Sequence, residues 1–240
     1  MELRLSLRNG ESLLVTFGIP LVLLVFFSLV DALPLDSALT AGQTPVQFLL
    51  PGVLALSVMS SAMVSLGIAT GFERFYLVLK RLGATPLRRG ELVVAKIVAV
   101  LAFEAVQIVV VLAVAVLALG YTPPSAEPPL RLAPLAIALG TAAFAGMGLA
   151  MAGRLRAVGT LALANTVYLV LLLVGGIAIP LEQLPDALAG VARLLPAAPL
   201  AGLLRSAFGG GTAAVGVDLA VLSIWALAMT ALAVKTFRWE

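Results

Sequence analysis

The sequence predicts an all-α, polytopic membrane protein with six transmembrane helices. Of its 240 residues, 62% are hydrophobic and 11% are charged, whereas a soluble domain is typically near half apolar and about a quarter charged. The mean hydropathy is +1.14. Six apolar stretches are each long enough to cross a hydrocarbon core of about 30 Å, which leaves no room for a sizeable soluble domain.

The chain begins with a short charged stretch, which the first two predicted spans follow. Residues 1–12 mix charges with leucines and lack a signal-peptide cleavage site, so we expect a cytoplasmic amphipathic segment. The first span, about 13–30, contains Pro20, which neighbouring helices can accommodate in a membrane. The second span is about 46–70.

Four further spans are predicted to complete a single membrane domain over residues 13–240. The third span, about 92–119, is ~42 Å long as a helix and must therefore tilt or project from the bilayer. The last three spans are predicted at about 132–151, 160–179 and 217–234.

The distribution of Lys and Arg predicts that both termini are cytoplasmic. With the amino terminus inside, twelve of the fifteen cationic residues lie in inner segments, and only Arg131, Arg193 and Arg205 lie outside. Short loops rich in Lys and Arg stay on the cytoplasmic side of a membrane. The count also supports six spans, because a missed span would disturb the alternation.

The inner loop between the second and third spans holds more positive charge than topology requires. Lys80, Arg81, Arg88 and Arg89 lie in it, whereas two arginines suffice for the next inner loop. The preceding stretch, GFERFYLVLKRL, is compatible with a helix.

A sharp turn is predicted where this loop reads GATP. Gly83 permits a helix stop, Pro86 prevents helix continuation, and a new helix is expected to begin near Leu87. A charged and rigid piece of this kind suits docking on a cytoplasmic partner.

Three segments carry recognisable motifs in a fixed order. The first is FLLPGVLALSVMSSA, and the second is FERFYLVLKRLGATPLRRGELVVAK, with an acidic-basic pair, a Leu-Lys-Arg-Leu run and Thr-Pro-Leu. The third is the segment 175–208, punctuated by one Ile-Pro and two Leu-Pro pairs. Together they resemble the permease subunits of type-2 ABC exporters of the drug-resistance, daunorubicin type.

The resemblance implies a half-transporter that pairs with a second permease, identical or different, and with two ATP-binding subunits. It implies efflux of an amphiphilic or lipid-like substrate, as in multidrug resistance, across a plasma membrane of bacterial type. The loop after the second span would then be the coupling helix. The residues expected to couple the chain to the ATPase are Glu73, Arg74, Lys80, Arg81, Gly83, Ala84, Thr85, Pro86, Arg88 and Arg89.

The chain itself is not expected to be an enzyme. It contains no cysteine and no histidine, which removes thiol chemistry and the commonest metal ligands, and we expect no catalytic residue and no metal site. It lacks a G-x-x-x-x-G-K-[ST] loop, so ATP and Mg²⁺ are expected on the partner ATPase and no cofactor here. Membrane lipids are expected contacts, and nucleic acid is not.

Polar residues within the predicted spans are candidates for a transport pathway, although each set can equally be a packing face. These residues are Ser57, Ser61 and Ser65, spaced four apart in the second span, Glu104 and Gln107 in the third, and Asn165 and Tyr168 in the fifth. The fourth span carries Ala138, Ala142, Gly146 and Ala150 on one face, which predicts close helix packing alone.

Glu104 lies well inside the predicted third span, and Gln107 shares its helix face. An acid at that depth must be paired, hydrated or protonated. In one interpretation it is protonated and hydrogen-bonds a neighbouring helix through Ser57, Ser61 or Asn165. In another it is ionised in a wet cavity, where it contacts a cationic substrate or changes protonation during transport. In a third it reaches toward an interface.

The segment between the fifth and sixth spans is apolar but broken by Pro180, Pro185, Pro196 and Pro199. The pieces between the prolines are too short to span, so we expect re-entrant or interfacial helices. They act either as an outer gate or as a cover for the span ends.

Two other classes of function fit the same composition. One is a secondary transporter or channel-like protein that needs no ATPase, and the other is a membrane-embedded assembly factor that transports nothing. A co-purifying ATPase distinguishes the exporter from both, and an internal inverted repeat would favour the secondary transporter.

Overall fold

The computed structural model describes residues 10–29, 44–122, 130–177, 181, 184–209 and 214–239. Within these ranges all regular secondary structure is helical, which confirms the predicted all-α class. The helices are α1 (Gly10–Leu29), α2 (Pro45–Phe75), α3 (Val78–Gly83), α4 (Arg89–Leu117), α5 (Leu132–Ala152), α6 (Ala157–Val174), α7 (Asp186–Ala192), α8 (Ala197–Phe208) and α9 (Val215–Thr236).

Five of these helices, α2, α4, α5, α6 and α9, are long and apolar enough to cross a membrane. Counting the bent pair α7–α8 as one span gives six within the described residues. The predicted first span, about 13–30, falls on the 20-residue helix α1. Each of the six predicted stretches therefore overlaps one of these long helices, and crossing by the first stays a prediction.

Each helix end lies within five residues of its predicted position. The largest differences are at α2, which continues to Phe75, and at α6, which ends at Val174. α6 stops early because two glycines follow it: the Gly175 N–H donates to Leu171 O at 2.8 Å, and Gly176 has φ +70°, a left-handed conformation that favours glycine.

The predicted amphipathic segment lies largely outside the described residues, which begin at Gly10. Its last three positions, 10–12, belong to α1, so the helix starts before the predicted boundary at residue 13. The single-domain boundary 13–240 and the surface position of residues 1–9 stay predictions.

α5 lies at the centre of the bundle, between α2 and α9. A Cβ atom at Gly146 would lie 2.6 Å from the carbonyl carbon of Met229 in α9. On the other side, a Cβ at Gly148 would lie 2.5 Å from Met63 O in α2. Close backbone approach through small residues is how helices associate in lipid, so the predicted packing role of the α5 stripe is confirmed at Gly146.

Candidate functional site

The chain turns sharply between α2 and α3. Leu77 has φ +60° and is the one described residue other than glycine with a positive φ. The stretch that the sequence predicts as one helix is therefore two, because a left-handed residue cannot continue a right-handed helix. Phe75, Tyr76, Leu77 and Val78 are all exposed at this turn, which we call the apolar elbow. This turn was not predicted, although four consecutive apolar residues beside a charged loop were its signal in the sequence.

The turn after α3 forms where the sequence predicts it but by other contacts. Gly83 ends α3 without a positive φ. The last turn is instead closed by Thr85, whose N–H and hydroxyl both donate to Leu82 O, at 3.0 and 2.6 Å. α4 then begins at Arg89 rather than at Leu87, because the Arg88 N–H donates to the Glu91 carboxylate at 2.8 Å and fixes the helix start there.

The candidate coupling residues fall into two groups. Eight are exposed on α3, the following turn and the first residue of α4: these are Lys80, Arg81, Gly83, Ala84, Thr85, Pro86, Arg88 and Arg89. We call this set the coupling segment. Its cations face solvent, as a docking surface for an acidic partner requires.

The other two candidates, Glu73 and Arg74, make contacts inside the chain. The Lys96 ammonium lies 2.8 Å from the Glu73 carboxylate and joins α4 to α2, and only 1% of Lys96 is exposed. The Arg74 guanidinium donates to Ala152 O and Leu155 O, both at 2.8 Å, and so satisfies carbonyls at the carboxyl end of α5. A contact with a partner stays a prediction for both residues. Lys96 was not among the predicted site residues.

A buried polar cluster joins α2, α4 and α5. The Thr141 hydroxyl of α5 contacts the Glu104 carboxyl of α4, and the Ser61 hydroxyl of α2 donates to Gln107 Oε1 at 3.2 Å. Glu104 is fully buried, and its Oε1 atom has no partner among the described residues. Glu104 therefore contacts Thr141 rather than Ser57, Ser61 or Asn165. The two serines donate elsewhere, to Val53 O and to Gln107 Oε1, and the helix that packs against α4 at Glu104 is α5 rather than α6.

The geometry at Thr141 fits a protonated Glu104. The Thr141 oxygen lies 2.8 Å from Ile137 O and also contacts Glu104 Oε2. A hydroxyl has one hydrogen to donate, so both contacts are satisfied when Glu104 donates to Thr141 and Thr141 donates to Ile137.

We expect Glu104→Gln to leave assembly intact and transport near normal, because glutamine keeps the size and a donor for Thr141. Glu104→Ala, by contrast, is expected to lower stability by roughly 1–3 kcal/mol, because it leaves a cavity and removes the hydrogen bond between α4 and α5. Thermal unfolding in detergent and transport by the reconstituted complex measure the two effects. Loss of transport in an assembled Glu104→Gln complex would show that the acid takes part in the cycle.

The predicted serine stripe of α2 does not form one face. Ser57 and Ser61 are buried, and the Ser57 hydroxyl donates to Val53 O of its own helix at 2.8 Å. Ser65 is exposed. Residues Ser60–Ser65 form a π-helical turn, whose wider turn breaks the four-residue register on which the prediction depended.

α2 and α6 run antiparallel beside each other. A Cβ at Gly52, early in α2, would lie 3.3 Å from Ile177 O, just after α6. A Cβ at Gly71, late in α2, would lie 3.4 Å from Thr160, early in α6. Interpolation between these contacts places Ser65 at the height of the α6 midpoint, residues 163–166.

Polar side chains are exposed on α2 and α6 at this level of the bundle. Asn165 and Thr166 are exposed at the midpoint of α6, and Ser65 is exposed on α2. Both α6 side chains donate to their own helix, Asn165 to Leu161 O at 3.0 Å and Thr166 to Ala162 O at 2.9 Å. We call Ser65, Asn165 and Thr166 the exposed polar face; Tyr168, also predicted here, is half-buried. An amide at the centre of a span faces protein or water rather than lipid.

The proline-broken segment forms two short helices that bend by 83°. Pro185 and Pro196 directly precede α7 and α8, and Pro199 lies in the first turn of α8, where a missing N–H is tolerated; Pro180 lies outside the described residues. α7 is largely exposed, whereas α8 is buried in the bundle. A gating role for these prolines stays a prediction.

Hydrogen bonds connect several elements at the end of the helix bundle opposite α3. The Arg205 guanidinium donates to Gly176 O, and the Tyr121 hydroxyl donates to Phe208 O. The Gln47 amide donates to Thr122 O at 2.7 Å. These bonds join the start of α2, the chain after α4 and the end of α8.

The family model described as ABC-2 type transporter matches residues 1–208. No curated protein matches the chain.

Proposed function

The chain belongs to the ABC-2 type transporter family, and on that premise we propose that it is the permease subunit of an ATP-driven exporter. Two such permeases, identical or different, would assemble with two ATP-binding subunits that hold ATP and Mg²⁺. The complex would export an amphiphilic or lipid-like substrate across a plasma membrane of bacterial type. Efflux of the drug-resistance kind is the form that the sequence motifs favour.

The coupling segment is the observation that carries this proposal. It is a short helix and turn whose cations point away from the bundle, next to an exposed apolar elbow. Charge complementarity gives such a surface specificity and a fast association rate, and exposed apolar side chains supply the buried core of an interface. An ATP-binding subunit is the partner that this family requires.

Movement of the coupling segment would reach the spans through the two internal ties. The Glu73–Lys96 ion pair connects the end of α2 to α4, and Arg74 connects it to the end of α5. Closure of the ATPases would therefore move these three helices as a unit. The exposed polar face of α2 and α6 supports a pathway between two permeases, because polar side chains within a span face water or protein and not lipid.

The proposed orientation puts both termini and the coupling segment in the cytoplasm. The chain has no cysteine, so single cysteines can be labelled with a membrane-impermeant maleimide. We expect cysteines at Ala84 and Arg154 to react only from the cytoplasmic side, and one at Ala187 to react from outside; all three positions are exposed. Labelling of position 84 from outside would overturn the orientation.

The proposed function is tested by purifying the tagged chain with its associated proteins. We expect an ATP-binding subunit to co-purify, and we expect a panel of amphiphiles to stimulate ATP hydrolysis by the reconstituted complex. Vesicles that carry the permease alone provide the matched control. Substrate movement by the permease alone, driven by an ion gradient, would instead establish a secondary transporter.

A further inference from the structure

The carboxyl-terminal tail folds back onto the coupling segment. α9 ends at Thr236, and Phe237 takes an extended conformation with φ −61° and ψ 127°. Phe237 is fully buried although it lies almost at the end of the chain. Its ring meets the Trp239 ring edge to face, with centroids 5.7 Å apart and planes at 85°, a favourable arrangement for two aromatic rings.

This aromatic pair touches two other elements at glycines. A Cβ atom at Gly83, the last residue of α3, would lie 3.0 Å from Cγ and from Cδ2 of Trp239. A Cβ at Gly153, just after α5, would lie 3.1 Å from the Cα atom of Phe237. Gly83 therefore allows the close approach of the indole to α3.

α3 packs on the bundle through a small number of side chains, Leu79 and, in part, Leu82. It is six residues long, and Leu79 is its one buried residue. A helix this short is not stable by itself in water, so its position depends on tertiary contacts. The indole of Trp239 provides such a contact on the side where α3 ends.

We propose that Phe237 and Trp239 form an aromatic latch that positions α3, so that a push from the ATPase reaches the spans instead of displacing the short helix alone. The inference rests on the proposed function. The family match ends at residue 208, so the latch follows from these contacts and not from the family. Trp239 is a positioning residue: it acts through α3 and not on a substrate.

The contact itself can be tested by fluorescence in the full-length permease. A bimane attached to a cysteine at Ala84 is quenched by a nearby indole. We expect Trp239→Phe to raise its emission several-fold. The matched control is Trp225→Phe, which removes the only other tryptophan of the chain; Trp225 donates to Leu194 O, far along α9. Equal emission with and without Trp239 would overturn the latch.

The function of the latch can be tested in the complex with the ATP-binding subunits. A cysteine at Thr166, on the exposed polar face, is labelled from outside with and without ATP and vanadate. We expect trapping with ATP and vanadate to raise the labelling rate in the native complex. Trp239→Ala should remove most of that increase while ATP hydrolysis continues. Trp239→Phe should preserve the increase. Trp225→Ala is the control for loss of an indole.

The outcomes separate the two proposals. If the ATP-dependent rise in labelling persists in Trp239→Ala, or if Trp239→Phe loses it to the same extent, the latch is overturned and the proposed exporter function is unaffected. If Trp239→Ala does not assemble, the phenylalanine variant and the bimane signal decide the question. No ATP-dependent increase in the native complex overturns the exporter, and the latch with it.

Discussion

Replacing Arg81 and Arg88 together by glutamate is expected to reduce ATP-driven transport by roughly tenfold or more, equivalent to about 1.4 kcal/mol or more. Both side chains are exposed on the coupling segment. Their reversal turns attraction for an acidic partner surface into repulsion, which costs up to several kcal/mol. Folding is expected to change by no more than about 0.5 kcal/mol per substitution, because exposed positions contribute little.

The measurements are the amount of ATP-binding subunit that co-purifies and transport by the reconstituted complex. The matched control is Arg131→Glu with Arg193→Glu, which makes the same change of charge at two exposed positions near the opposite end of the helix bundle. That control should assemble and transport normally. Normal transport by the Arg81→Glu, Arg88→Glu protein would show that the coupling segment is assigned wrongly.

Gly148→Ala is expected to destabilise the permease by roughly 2–3 kcal/mol. The new methyl group would lie 2.5 Å from Met63 O, so α5 and α2 must separate. Backbone atoms cannot rotate away as a side chain can, and the separation would also disturb the π-helical turn Ser60–Ser65. Thermal unfolding followed by size-exclusion chromatography measures the loss.

Gly190→Ala is the matched control for this substitution. Gly190 lies inside α7, and a Cβ there would meet no atom within 4 Å. Alanine is about 1 kcal/mol better than glycine in a helix, so this variant should be unchanged or slightly more stable. A Gly148→Ala protein as stable as Gly190→Ala would contradict the close approach of α2 and α5.

Hydropathy was sufficient to predict where the helices lie. An apolar run of about twenty residues has few alternatives to a membrane helix, because lipid cannot satisfy a backbone that is not hydrogen-bonded. Helix ends were harder to place. The end of α6 depends on a glycine with φ +70°, and the start of α4 depends on the Arg88–Glu91 hydrogen bond, neither of which changes hydropathy.

The candidate site was predicted in part. Arg81, Arg88 and their neighbours are exposed as expected, because a dense cluster of cations cannot be buried without partners. Glu73 and Arg74 are also charged, but they contact Lys96 and the end of α5 inside the chain. The sequence alone does not distinguish the two groups. It shows which residues are charged, but the residues that Glu73 and Arg74 contact lie tens of positions away along the chain.

Composition and hydropathy were sufficient to predict the class of this protein and the position of its long apolar helices, because both follow from local composition and from the solvent that the composition requires. Which polar residues lie inside the bundle, by contrast, depends on how the helices pack. Ser61, Glu104 and Gln107 lie in the bundle, whereas Asn165 lies on its surface. All four lie in apolar helices, and the direction in which a side chain points depends on helix rotation and on neighbours. At α2 a single π-helical turn was enough to change that rotation.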